Sequence, residues 1–190
     1  MEVYLIRHTK PKIEKGICYG QSDVPLVESF EKEAEALMKH LPSKFNVIYS
    51  SPLTRCHKLA QLINSDSKVS LDERLMEMNF GDWELRNWDA IDQSQLNTWM
   101  QDFVGVKVPN GENFEELYGR VNSFVDELLK QQYEKVAVVT HAGVIRSIVS
   151  KILEVPLKNA FKLPVDYSSV TKLNISGDGC YSNIEFLNKV

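Results

Sequence analysis

The chain has 190 residues, 43% of them apolar and 25% charged, with a formal net charge of −4. A chain of this length buries roughly 70% of its extended surface and folds without a staple. The mild negative balance sets aside a dedicated nucleic-acid binder, which carries a basic surface, and no apolar run approaches the roughly 18 residues of a membrane span.

Val3-Tyr4-Leu5-Ile6 is a short apolar run closed by Arg7-His8, the pattern of a buried strand. Phe30, Ala34, Leu37, Met38 and Leu41 recur at helical spacing and predict an amphipathic helix stopped before Pro42. Val47-Ile48-Tyr49 predicts a second strand running into Ser50-Ser51-Pro52, with Ser51 as helix cap and Pro52 at the first helical position. Leu53, Cys56, Ala60 and Ile63 supply the stripe of that helix, and Val69 and Leu71 suggest a third short strand. The segment from Glu73 to Pro109 is the least regular. It holds Trp83, Trp88 and Trp99 with Phe80 and Phe103, expected to pack as local core rather than to stack nucleic-acid bases.

Asn113 and Glu116 form a capping-box pattern ahead of a long apolar face, Phe114, Leu117, Tyr118, Val121, Phe124, Val125 and Leu128. Lys135-Val136-Ala137-Val138-Val139-Thr140 is the strongest strand, followed by His141-Ala142-Gly143 and a helix through Leu153. Further strands are expected near Ser169–Ile175 and Ser182–Leu187. Strands alternating with helices predict an α/β fold, a mostly parallel central sheet with helices on both faces. One domain over residues 1–190 is expected, with a small cap-like insertion around 73–112.

Three cysteines, Cys18, Cys56 and Cys180, lack CxxC spacing and fit a reducing compartment better than disulfides or zinc. Met1-Glu2-Val3-Tyr4 lacks the basic and long apolar regions of a secretory signal. A cytoplasmic location, with no membrane or nucleic-acid partner, is the expectation.

Ligands of parallel sheets bind beyond the carboxyl ends of the strands. Three strands here end in polar residues: Arg7-His8-Thr9, Ser50-Ser51 and Thr140-His141. With Arg55 one turn into the second helix, that edge collects two arginines, two histidines and two helix starts. Guanidinium forks and free helix N–H groups suit a doubly charged tetrahedral anion. A neutral imidazole is also a competent nucleophile. No HxH or HxxxH spacing supports a metal site, and His40 and His57 look like solvated helix residues.

Five blocks, in order, resemble the histidine phosphatase superfamily, the phosphoglycerate-mutase-like proteins. They are Leu5-Ile6-Arg7-His8-Thr9, Tyr19-Gly20-Gln21-Ser22-Asp23-Val24-Pro25-Leu26, Tyr49-Ser50-Ser51-Pro52-Leu53-Thr54-Arg55-Cys56, Leu75-Met76-Glu77-Met78-Asn79-Phe80-Gly81-Asp82-Trp83-Glu84 and Thr140-His141-Ala142-Gly143-Val144-Ile145-Arg146. Within it, His8-Thr9-Lys10-Pro11 and the runs after Cys18 and Asn79 are similar to the alpha-ribazole phosphatase branch. Pro109-Asn110-Gly111-Glu112-Asn113 departs from that branch's Pro-Gly-Gly-Glu-Ser.

The resemblance implies a three-layer sandwich and a metal-independent phosphomonoesterase with no cofactor, acting on a small phosphorylated metabolite. His8 would be the nucleophile, with Arg7, Arg55 and His141 around the phosphoryl oxygens. Glu77 would be the proton donor, with Glu73, Glu84 and Glu112 as rivals. Gly20 and Ala142 would also contact substrate; Gln21 and Ser22 either contact phosphate or only shape their turn. The implied substrate is alpha-ribazole 5′-phosphate, or the phosphorylated cobalamin that carries it. Alternatives are a broad sugar-phosphate or nucleotide phosphatase, a phosphoglycerate mutase, and an inactive phospholigand-binding module. A mutase needs extra cations for a second acidic group, and Trp88 to Pro109 holds only Lys107.

Overall fold

A computed structural model describes residues 1–63, 68–176 and 182–190; Cys180 lies outside the described residues. The strands are β1 (Glu2–Arg7), β2 (Val47–Ser50), β3 (Val69–Leu71), β4 (Lys135–Thr140), β5 (Val170–Asn174) and β6 (Asn183–Lys189). They form one sheet in the order β3-β2-β4-β1-β5-β6. The first four are mutually parallel and β5 runs against both its neighbours, giving the expected mostly parallel sheet. The helices are α1 (Phe30–Met38), α2 (Thr54–Ile63), α3 (Gln93–Gln101), α4 (Phe114–Leu128) and α5 (Ala142–Ile152).

The two-residue period of the strands builds a core on each face. Val3 and Leu5 of β1, in register with Val136 and Val138 of β4, pack with Leu117, Val121 and Phe124 of α4 and Ile145 and Ile148 of α5. The alternate residues Tyr4, Ile6, Ala137 and Val139 join Ile48 against Ala34 and Leu37 of α1 and Leu59 and Ala60 of α2. Burial on both faces explains why β4 reads as a continuous apolar run rather than an alternating one.

The capping box at α4 forms as expected: Asn113 accepts from the Glu116 N–H at 2.8 Å, and Glu116 from the Asn113 N–H at 3.1 Å. The start of α2 differs from expectation. Ser51 N–H donates to Val139 O at 3.0 Å and lengthens the β2–β4 ladder, while its Oγ accepts from Leu53 N at 3.4 Å ahead of the helix, which begins at Thr54 rather than at Pro52. Asp23 adds a cap from outside, accepting from Thr54 N at 3.0 Å and from Thr54 Oγ1 at 2.5 Å. α1 ends at Met38, and the N–H groups of Lys39, His40 and Leu41 turn to carbonyls three residues back.

Within 73–112 the sequence pattern missed α3. Leu96 is its one buried residue, so no apolar stripe marks it, but its cap is orthodox: Asp92 accepts from Ser94 N and Gln95 N. Trp83 is buried, while Trp88 and Trp99 are only partly so.

Parallel pairing leaves Arg7 opposite Thr140, so the carboxyl ends of β1, β2 and β4 finish at one edge. The reversed β5 starts at that same edge, which brings the 165–169 segment beside β1.

Candidate active site

His8 directly follows β1, and its backbone is held on both sides. Its N–H donates to Thr140 O at 3.0 Å and its carbonyl accepts from Ser168 N at 3.2 Å. The ring is 2% exposed. Nδ1 lies 2.7 Å from Thr9 O. A carbonyl only accepts, so Nδ1 carries the proton, and in the neutral ring Nε2 keeps its lone pair. Burial, then the Arg55 and Arg7 charges, hold the His8 pKa well below the usual imidazole range.

Arg7 extends over the face of Tyr167, 3.7 Å from the ring centroid, and donates from Nη1 to Val165 O at 2.6 Å. Arg55, on the first turn of α2, is completely buried; Nη1 donates to Ser22 O at 2.9 Å and Nη2 to Gly20 O at 2.5 Å. Neither arginine pairs with a carboxylate among the described residues. The Nε of each is buried without a hydrogen-bond partner. A fully buried Arg55 and a partly buried Arg7, offset by carbonyl dipoles and the Tyr167 ring rather than by carboxylates, make a strongly electropositive site.

His141 follows β4 and caps α5 without a side-chain bond to that helix. Its Nε2 lies 2.9 Å from Ser51 Oγ and 3.4 Å from Cys56 Sγ, and its ring meets that of His8 edge to face at 5.1 Å. Burial, then Arg55 and His8, hold its pKa well below the usual range. Beside it, Gly143 N donates to Glu77 Oε2 at 3.1 Å, while Met78 N donates to Glu77 Oε1 at 3.0 Å. A Cβ on Gly143 would stand 2.3 Å from Glu77 Oε1, so the glycine is what lets the carboxylate approach the start of α5.

The rival glutamates are committed elsewhere. Glu84 accepts from the N–H groups of Gln21, Ser22 and Phe80; despite burial, these bonds lower its pKa. Glu112 takes both arms of Arg120, at 2.8 and 2.9 Å, and Asn79 N. Arg120 also donates to the carbonyls of Arg74, Met76 and Glu77, fixing the segment that carries Glu77.

A pocket of about 200 Å³ gathers Arg7, His8, Arg55, Glu77, His141 and Ala142 from four separate stretches of chain. Glu77 is its one carboxylate. Glu73, Gly20, Gln21 and Ser22 do not line it. Gly20 instead gives its carbonyl to Arg55, at a point where a Cβ would meet Met78 O at 2.0 Å, and the Gln21 side chain donates to Glu77 O at 3.0 Å. Cys18 is buried in the core, which pushes its thiol up to about 12.

Tyr19, Tyr167, Arg146 and Gly143 line the pocket and Cys56 backs it, none given a role from sequence, while Ser51, expected at this edge as a strand end, backs it through His141. Tyr19 and Tyr167 hydrogen-bond through their hydroxyls. Arg146 is five residues past His141 within a quoted motif, a signal that was visible. Among the described residues no three His, Cys, Asp or Glu side chains gather as a metal-ligand set, and no helix is long and apolar enough to cross a membrane.

Residues 3–187 match the histidine phosphatase superfamily (branch 1). The chain belongs to this superfamily. It is 31% identical to the "Putative phosphoserine phosphatase 2" of Hydrogenobacter thermophilus, over 99% of this chain and 95% of that one. It is 29% identical to the adenosylcobalamin/alpha-ribazole phosphatase of Escherichia coli, over 100% and 92%. The solved alpha-ribazole phosphatase from Shigella flexneri superposes with a TM-score of 0.91 at 26% identity, over 100% of this chain and 96% of that one. The membership and these relatives support a phosphatase hydrolase.

The buried histidines generate a pH prediction. In the ordinary histidine range the unfolded chain takes up protons that folded His8 and His141 refuse. Their contribution to stability is therefore complete above about pH 6.5 and lost as pH falls below it, by up to roughly 1.4 kcal/mol per pH unit for each. Urea midpoints are expected to drop between pH 7.5 and 5.5, and His8→Asn is expected to flatten the slope. Coincident midpoints across that window would contradict neutral, buried imidazoles.

Proposed function

We propose that the chain is a cytoplasmic, metal-independent phosphomonoesterase working through phosphohistidine on His8, with alpha-ribazole 5′-phosphate, or the phosphorylated cobalamin that carries it, as substrate. The observation that carries the chemistry is the pocket's charge arrangement. An imidazole with its Nε2 lone pair free stands beside two guanidiniums that have no carboxylate partner, and one carboxylate closes the site.

The His8 Nε2 lone pair attacks phosphorus while the bond from phosphorus to the ester oxygen breaks, its electrons leaving with the alkoxide. The Thr9 carbonyl, already bonded to Nδ1–H, stabilises the positive charge that develops on the ring. Arg7 and Arg55 bind the non-bridging oxygens, supplying the charge neutralisation on which phosphoryl transfer depends. A bound dianion also offsets the Arg55 charge that, after burial, holds His141 neutral, so that ring becomes a donor to phosphate. Glu77, as a carboxylic acid, protonates the alkoxide. Its carboxylate then takes a proton from the water that attacks phosphohistidine, releasing phosphate and restoring His8.

The substrate proposal is supported by the names of the Escherichia coli and Shigella flexneri relatives. Lys107, the one base in the 88–109 segment, pairs with Glu116 at 2.7 Å and does not line the pocket; the extra cation that does line it is Arg146, from α5.

The leaving group tests Glu77. A ribose alkoxide departs poorly without a proton, whereas nitrophenolate needs little help. Glu77→Gln is expected to lower kcat on ribose 5-phosphate by on the order of 10²–10⁴-fold and on p-nitrophenyl phosphate by clearly less, with burst kinetics establishing that phosphorylation of His8 is limiting. Gly143→Ala, which displaces the carboxylate without removing it, is expected to show the same asymmetry at smaller size. EDTA is expected to leave all wild-type rates unchanged. Near-normal rates for Glu77→Gln on both esters would remove Glu77 as the acid, and a loss in EDTA restored by Mg²⁺ would overturn the metal-free mechanism.

A further inference from the structure

Tyr19 and Tyr167 lie 148 residues apart in the chain, yet both line the pocket and their hydroxyls are hydrogen-bonded to each other. Each ring also carries one of the two arginines. The Arg7 guanidinium carbon stands 3.7 Å from the Tyr167 ring centroid, and that of Arg55 stands 5.4 Å from the Tyr19 centroid. Tyr167 meets the His8 ring as well, at 5.6 Å between centroids.

The two rings belong to separate supports. Tyr167 sits in the 165–169 segment, which is fastened to β1 and His8. Val165 O accepts from Arg7 Nη1, Ser169 O accepts from Arg7 N at 3.0 Å, and Ser168 N donates to His8 O at 3.2 Å. Tyr19 sits in the 18–22 loop, whose Gly20 and Ser22 carbonyls hold Arg55. That loop is fastened elsewhere, through Cys18 to the backbone of Leu85 and Arg86 at 2.8 Å each and through Gln21 and Ser22 to Glu84. Among the described residues, the hydroxyl pair is the one hydrogen bond that joins the Arg7 support to the Arg55 support.

Two guanidiniums in one pocket repel each other, the more so where water is scarce. A carboxylate between them would relieve the repulsion, but it would also cancel the charge that attracts phosphate. A phenol pair gives each guanidinium a ring face and a fixed place while leaving its charge intact. Burial, then the bond to Tyr167, push the Tyr19 phenol above its ordinary range, so it stays neutral beside the arginines.

We infer that Tyr19 and Tyr167 are positioning residues, and that their shared hydrogen bond is a neutral strut setting the spacing of Arg7 and Arg55 for a tetrahedral phosphoryl group. The inference rests on the phosphatase reading, in which both arginines bind that group. The strut acts through the arginines, and neither hydroxyl is assigned a contact with the substrate.

The test uses Tyr19→Phe, Tyr167→Phe and the double variant, which remove the hydroxyls and keep the rings. Calorimetric titration with inorganic phosphate reads the spacing of the arginines without turnover, p-nitrophenyl phosphate gives kcat/KM, and urea midpoints report folding. Each single change strands one hydroxyl, and it is expected to weaken phosphate binding by roughly three- to tenfold, with kcat/KM falling in step. The double variant strands none, so its loss is expected to be no larger than that of either single change, not their product. Tyr167→Leu, which also removes the ring face under Arg7, is expected to lose more than Tyr167→Phe.

Losses that multiply in the double variant would mean that each hydroxyl meets phosphate on its own, and would overturn the strut. So would wild-type phosphate affinity in either single variant, whatever its urea midpoint, since the pair would then be a structural contact only. Phosphate binding that follows the expected pattern, without turnover of any ester, would uphold the strut and remove the phosphatase reading alone. A wild-type protein that binds no phosphate would overturn both.

Discussion

Arg55 is a guanidinium with no exposed surface and no carboxylate partner, and much of the surrounding chain is arranged to make that tolerable. A desolvated, unpaired charge is costly, and carbonyl dipoles offset only part of it. The 20–23 loop therefore serves the arginine. Gly20 and Ser22 turn their carbonyls inward, Gly20 lacks a side chain because Met78 O stands where its Cβ would be, and Asp23 caps the helix on which Arg55 is carried. Burial, reinforced by the field of Arg55 and of Arg7 stacked on Tyr167, keeps both histidines neutral. The same charge thus makes the site receptive to a dianion and leaves the His8 lone pair available to attack it.

Topology delivers these groups without long loops. Parallel pairing aligns the ends of β1, β2 and β4, and each end supplies one polar residue facing the others: His8, Ser51 and His141. The single reversed strand, β5, adds Tyr167 from the opposite chain direction. Glu77 reaches the site from outside the sheet, and its reach is set by contacts rather than by a strand. Arg120 and Gln21 hold its backbone, and Met78 and Gly143 hold its carboxylate.

What was legible in the sequence divides along that line. Arg7, His8 and His141 sit at the ends of strongly patterned strands, and the α4 capping box is a local signal, so both could be read from neighbouring residues. Glu77 became a candidate only through family resemblance, because its partners are 43 and 66 residues away in the chain. Gly20 and Gln21 lie behind the pocket lining and support Arg55 and Glu77, a role visible only once those residues are in space. The helix starts at Thr54, two residues beyond Pro52, because the Ser51 backbone still pairs with β4 even though its hydroxyl accepts from Leu53 N. α3 escaped notice because it buries one leucine. The direction of β5 depends on its pairing partner, which no local pattern encodes.

The covalent intermediate is the most direct test of the account. Wild-type protein is mixed with a ³²P-labelled phosphomonoester, quenched during turnover and digested for peptide mapping. An acid-labile, base-stable phosphoryl group on His8 is the expected result, with no label and no turnover in a His8→Ala variant that remains folded. An acid-stable phosphoryl group, a label on any other residue, or normal turnover by His8→Ala would contradict it.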